Sequence, residues 1–115
     1  MELFSKIFRK NIELEYRPRL YLSDGLDEKD LARLKKKISK GKGSCAVILI
    51  SDNENDQFDI VTPFQLKLTV WEGKKPVVAG IADKKDDAPN LVEQIISDCL
   101  TARGDLNLKE YICSL

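Results

Sequence analysis

Hydrophobic and polar positions along the chain fall into two alternating kinds of segment. Short apolar runs rich in β-branched residues, "SCAVILIS" at 44 to 51 and "KKPVVAGIA" with its core at 76 to 82, have the pattern of strands covered on both faces. The first of these predicts the centre of a sheet. Between the apolar runs lie stretches with helical spacing. "SDGLDEKDLARLKKKISKGKG" places Leu31, Leu34 and Ile38 on one stripe. Asp27 stands as the cap with Asp30 three residues on, and Gly41 is a natural stop. A second helix starts at Asp86 and Asp87 with Pro89 in its first turn. Its inner face is drawn from Leu91 or Val92, Ile95, Ile96, Cys99 and Leu100, and Gly104 ends it.

The remaining segments carry weaker patterns. Ile12, Leu14 and Tyr16 alternate up to Pro18, which suggests an edge strand, and a strand resumes over about 19 to 23. A short strand is expected over 58 to 61, followed by a brief helix or turn from Thr62 and Pro63. "DLNLKEYIC" reads as a closing strand with Leu106, Leu108 and Ile112 inward. Strands alternating with helices predict a single α/β domain over residues 1–115. The expected architecture is a four- to five-stranded mixed or largely parallel sheet with two main helices packed on it.

The first ten residues, "MELFSKIFRK", put Leu3, Phe4, Ile7 and Phe8 at helical spacing with Lys6, Arg9 and Lys10, an amphipathic helix that can cover the sheet, meet a second copy or fill a partner's groove. A role at a membrane surface is the weaker use of so short a segment.

Composition narrows the chemistry. The 115 residues contain no histidine, and 19 basic side chains balance 19 acidic ones. Histidine-dependent hydrolysis is excluded, and no global field draws the molecule to nucleic acid or an anionic membrane. Cys45, Cys99 and Cys113 are odd in number, and none forms a C-x-x-C pair. They read as buried thiols in a cytoplasmic protein, with no disulfide and no zinc site. No apolar run reaches the length of a membrane span. Gly-rich phosphate cradles are absent, and no cofactor is indicated.

Three surface features remain as candidates. The turn "ADKKDDAPNL" crowds a helix start with Asp83, Asp86 and Asp87, carboxylates expected to cap the helix amides and oppose a phosphate. The loop "DNENDQFD" spaces Asp52, Glu54 and Asp56 like the first ligands of a calcium loop. It lacks the central glycine and the bidentate glutamate. If the sheet is parallel there, Asp52, Asp56, Asp83 and Asp86 would share one rim able to hold magnesium, a layout comparable with receiver domains at the level of fold alone. The third feature is a basic run in which Arg33, Lys36, Lys37 and Lys40 share one helix face. That face reads first as a solvated one suited to the C-terminal half of a helix; its other uses are nucleic-acid contact and, after that, an acidic protein partner. These features favour a small interaction or regulatory protein without catalytic activity, with homodimerisation as one use of its surfaces. The alternative is a magnesium-dependent enzyme or receiver-like site on the acidic turns.

Overall fold

The computed structural model describes residues 12–115. Leu3, Phe4, Ile7 and Phe8 lie outside the described residues, as does the amphipathic helix expected there. Four strands form a mixed sheet, β1 (Glu15–Leu22), β2 (Ala46–Ile50), β3 (Phe58–Val61) and β4 (Val77–Ala82), in the spatial order β1-β4-β2-β3. Among the described residues three helices accompany them, α1 (Glu28–Ser39), α2 (Ala88–Arg103) and α3 (Leu108–Cys113). The α/β expectation holds, but the sheet is not largely parallel. β1 runs parallel to β4, whereas β2 is antiparallel to both β4 and β3.

Burial on two faces explains the apolar interior strands. Val47 and Leu49 of β2 pack with Val78 and Ile81 of β4 under Leu34 and Ile38 of α1. Ala46 and Ile48 pack with Ala79 and Ala82 under Leu91, Ile95 and Cys99 of α2 and under α3. The two helices that follow β1 and β4 therefore lie on opposite faces.

Strand β4 departs from simple alternation, since both Ala79 and Ala82 face α2. The cause is a bulge: Ile48 of β2 pairs with Gly80 while the next residue, Leu49, pairs with Val78, so β4 carries one extra residue. Glycine is required there by close approach. A Cβ on Gly80 would stand 2.9 Å from the Tyr21 carbonyl oxygen, 3.1 Å from Tyr21 Cβ and 3.4 Å from Leu91 Cδ2. Small residues under α2 let helix, bulge and neighbouring strand come together.

The edges of the sheet follow from local sequence. β1 continues through Pro18, which is tolerated because β1 is an edge strand, and its register with β4 slips between Tyr16 and Tyr21. The expected break at Pro18 is thus an irregularity within one strand. α1 begins with a complete capping box: Asp30 N–H donates to Asp27 Oδ1 and Asp27 N–H to Asp30 Oδ2. Its last turn is followed by Gly41 at φ 69°. After β3 the chain makes two single 3₁₀ turns, Gln65–Lys67 and Thr69–Trp71, which seat Leu66 in the core on the α1 side.

The C-terminal segment corrects the sequence reading. Residues 108 to 113 are helical, because Leu108, Tyr111 and Ile112 sit three and four apart and all three are buried. The start was signalled by Asn107, whose side-chain oxygen accepts the Glu110 N–H. Leu106, expected inward, is 53% exposed, and Leu100 of α2 is 46% exposed. α2 ends as expected, with Gly104 in the left-handed conformation at φ 76°.

Gly80→Ala is expected to destabilise the fold by about 1–3 kcal/mol, because the added methyl meets backbone rather than a flexible side chain. Urea denaturation of the variant beside the parent measures this directly.

Candidate functional site

Strand direction decides where the acidic turns lie. β2 is antiparallel to β4, with Ala46 opposite Ala82 and Ile50 opposite Val77. The loop carrying Asp52 and Asp56 therefore leaves the sheet beside the start of β4, while the turn carrying Asp83 and Asp86 leaves it at the other end. The shared magnesium rim expected of a parallel sheet is not formed. Among the described residues no group of three or more His, Cys, Asp or Glu side chains is arranged to hold a metal ion.

The 52–56 loop is closed by its own groups. Asn53 N–H donates to Ser51 Oγ at 3.1 Å, Asn55 N–H to Asn53 Oδ1 at 3.0 Å, and Asn53 Nδ2 to Asp56 Oδ2 at 3.2 Å. Two cations lean in: Lys109 Nζ donates to the Asn53 carbonyl at 2.7 Å, and Lys74 stands 3.7 Å from Asp52.

At the opposite end, the expected self-capping of α2 does not occur. Asp87 occupies the cap position without a side-chain bond to the helix amides. One turn of 3₁₀ helix, Lys85–Asp87, leads into α2 instead. The Asp83 N–H is taken by Ser23 Oγ at 2.8 Å, which ties the turn after β4 to the turn after β1.

Those two turns border a cleft of about 310 Å³ lined by Ser23, Asp24, Asp87, Asn90, Leu91 and Gln94. Its place follows from topology. β1 and β4 are neighbouring parallel strands whose following helices cover opposite faces, and such a pair splits open beyond its carboxyl ends. Ser23 and Leu91 are buried, while Asp24, Asn90 and Gln94 are exposed. Sequence reading passed over Ser23, Asp24, Asn90 and Gln94. The available signal was the spacing of Asp87, Asn90 and Gln94, three and four apart on the polar side of α2.

The basic face of α1 is laid out as the periodicity predicts. Arg33, Lys36, Lys37 and Lys40 are all exposed. Arg33 Nη2 stands 3.5 Å from Asp30, and no acidic side chain among the described residues pairs with Lys36, Lys37 or Lys40. The Asp27 N–H, and then Arg33, hold the Asp30 carboxyl below its ordinary range. Lys35 is set apart, its Nζ 4.5 Å above the Tyr16 ring.

A second unforeseen group sits under α2 and α3. Tyr21 O–H donates to Asp98 Oδ2 at 2.8 Å, and the Tyr21 and Tyr111 hydroxyls are 2.8 Å apart. Since Tyr21 gives its proton to Asp98, Tyr111 donates to Tyr21, forming a chain that pins α3 and β1 to α2. Nearby, Arg17 Nη2 donates to the Cys113 carbonyl at 3.2 Å. All three cysteines are free, but only Cys45 and Cys99 are buried; Cys113 is exposed, against expectation. Burial pushes the Cys45 and Cys99 thiols up, away from the reactive thiolate form. Trp71 packs on the α1-side core, and Tyr111 is buried, so both aromatics serve packing. Among the described residues no helix is long and apolar enough to cross a membrane.

Comparison with protein-family models, with curated proteins and with solved structures found no match.

The tyrosines predict an alkaline limit to stability. Burial, and then the nearby Cys45, push Tyr16 from 10.0 up to about 12. Burial, with the Tyr111 and Asp98 hydrogen bonds, also raises Tyr21 well above its ordinary value. Below pH 10 the phenols are protonated in both states and their contribution is complete. Above it the unfolded chain ionises first, so stability falls as pH rises towards 12. Urea midpoints across pH 7 to 12 are expected to show this decline, with a shallower slope in Tyr16→Phe.

Proposed function

We propose that this chain is a small interaction or regulatory protein of the cytoplasm, without catalytic activity of its own, that engages an acidic protein surface through the exposed side of α1. The observation that carries the reading is the patch of Lys36, Lys37 and Lys40, beside Arg33, with no acidic partner for the three lysines among the described residues. Four like charges within two turns repel one another. Their place in the last half of α1 is eased by the helix dipole, and an acidic partner would relieve the remainder.

An acidic protein suits this surface better than nucleic acid. The molecule is neutral overall and its basic patch is confined to one helix face, so it offers no continuous basic track for a phosphate backbone. Tyr16, the ring that α1 meets through Lys35, is already covered by that lysine, so it offers no open platform for base stacking.

Titration with poly-L-glutamate at low and physiological salt tests the reading. The parent is expected to bind in a salt-dependent manner, and a Lys36→Glu, Lys37→Glu, Lys40→Glu triple variant to bind about tenfold more weakly or worse. A double-stranded oligonucleotide is the comparison. No binding to poly-L-glutamate, binding unaffected by charge reversal, or tighter binding to the duplex contradicts the proposal.

A further inference from the structure

The two edges of the sheet are finished differently. β1 carries Pro18 and a register slip between Tyr16 and Tyr21, which spoil its outer edge as a template for another strand. β3, at the other edge, has neither. Its backbone directions follow from one bond: Ser51 N–H donates to the Gln57 carbonyl at 3.0 Å, so these two residues face each other as a hydrogen-bonded pair. The alternation then runs without a slip through Ile50 and Phe58, Leu49 and Asp59, and Ile48 and Ile60. Phe58 and Ile60 therefore turn their N–H and C=O groups away from β2. Those four groups make no hydrogen bond among the described residues. Past them the edge is closed, since Thr62 N–H donates to Gln65 Oε1 at 2.8 Å and the Thr62 carbonyl accepts the Gln65 N–H.

The side chains beside this edge are of two kinds. On the α2 side Ile60, opposite Ile48, is exposed. Leu106, also exposed, stands by the start of β3, where Gln57 Nε2 donates to its carbonyl at 2.8 Å. On the α1 side the carboxylate of the half-buried Asp59 has no hydrogen bond or ion pair among the described residues. It borders a cleft of about 290 Å³ shared with Asp52, Trp71, Lys74, Lys75 and Val77. An ammonium already fits that setting: Lys74 Nζ lies 5.8 Å from the centre of the Trp71 ring and 3.7 Å from Asp52. Asp59 is left as a second carboxylate for another cation.

A second copy of the chain is a poor occupant of this edge. Two β3 strands related by a two-fold axis pair antiparallel, and the register that uses Phe58 and Ile60 of both sets their two Asp59 carboxylates against each other. Like charges directly opposite are destabilising. Centring the pair on Ile60 instead calls on the Thr62 groups already taken by Gln65. The carboxylate that repels a copy attracts a basic side chain.

We propose that β3 accepts an extended peptide strand whose residues alternate apolar, basic, apolar. The two apolar residues bond to the backbone of Phe58 and Ile60 and lay their side chains beside Ile60 and Leu106. The lysine or arginine between them points to the α1 side, where it meets Asp59 and reaches the cleft. Main-chain bonds supply the attachment, and the alternate side chain supplies the selectivity. This site is separate from the basic face of α1.

The test is a ¹⁵N amide titration of the full chain with the peptide acetyl-Thr-Val-Lys-Val-Thr-amide. Beside it stand a version with glutamate in place of lysine and one with both valines N-methylated, which cannot donate to the edge. Saturable shifts are expected at Phe58, Asp59 and Ile60, with the glutamate peptide about tenfold weaker and the methylated one without effect. Asp59→Lys, at the sheet edge, is expected to reverse the preference between the lysine and glutamate peptides. Ile60→Pro replaces an outward-facing donor, leaves the pairing with β2 in place and should weaken both. The proposal is overturned if the lysine peptide gives no saturable shifts up to several millimolar, or if the glutamate or methylated peptide binds as well. It is equally overturned if Asp59→Lys leaves the preference unchanged. Concentration-dependent shifts at Phe58 and Ile60 without peptide, with a dimer in light scattering, would assign the edge to a second copy and overturn it too.

Discussion

Strand β4 is hydrogen-bonded on one side to β1, which runs with it, and on the other to β2, which runs against it. That pairing requires both interior strands to be apolar on two faces, and it sends the loops that follow them to opposite ends of the sheet. Acidic loop 52–56 is held at one end by Lys74 and Lys109. Asp83, Asp86 and Asp87 stand at the other, beside the parallel pair β1 and β4. A carboxylate rim for magnesium is a consequence of parallel strands, and it disappears when one strand is reversed. What replaces it is the cleft between two strands whose helices diverge.

At the bulge β1 stands so near β4 that there is no room for a Cβ on Gly80 beside the Tyr21 carbonyl. The same region gathers the ties that hold the C-terminal helices: Tyr21 reaches Asp98 and Tyr111, and Arg17 reaches the Cys113 carbonyl at the end of α3. The α2 face is thus built from small residues below and hydroxyl bonds beside, whereas the α1 face is a conventional packing of Leu34, Ile38, Val47, Leu49 and Leu66. This difference accounts for a glycine and four alanines, Ala46, Ala79, Ala82 and Ala88, lying on the α2 side.

Much of this architecture is legible in the residues. The apolar runs at 46 to 50 and 77 to 82, the capping box of Asp27 and Asp30 and the stop at Gly104 each act through local chemistry, and each element formed where that chemistry predicts. Strand direction is not local. Alternation and burial look the same in a strand read either way, so the sign of the β2–β4 pairing, and with it the fate of the acidic turns, could not be read from periodicity. The last segment failed for another reason. Leu106, Leu108 and Ile112 fit a period of two as well as Leu108, Tyr111 and Ile112 fit a helix, and only the Asn107-to-Glu110 cap separates the two. The cleft residues were missed because Ser23 and Asp24 belong to one turn and Asn90 and Gln94 to a helix more than sixty positions away.

The central claim is the direction of β2 against β4, and nuclear Overhauser contacts between their backbone protons test it most directly. The structure predicts cross-strand contacts of Ala46 with Ala82 and of Ile50 with Val77. Contacts of Ala46 with Val77 and of Ile50 with Ala82 would show a parallel pair, reunite the acidic turns at one end and contradict the account.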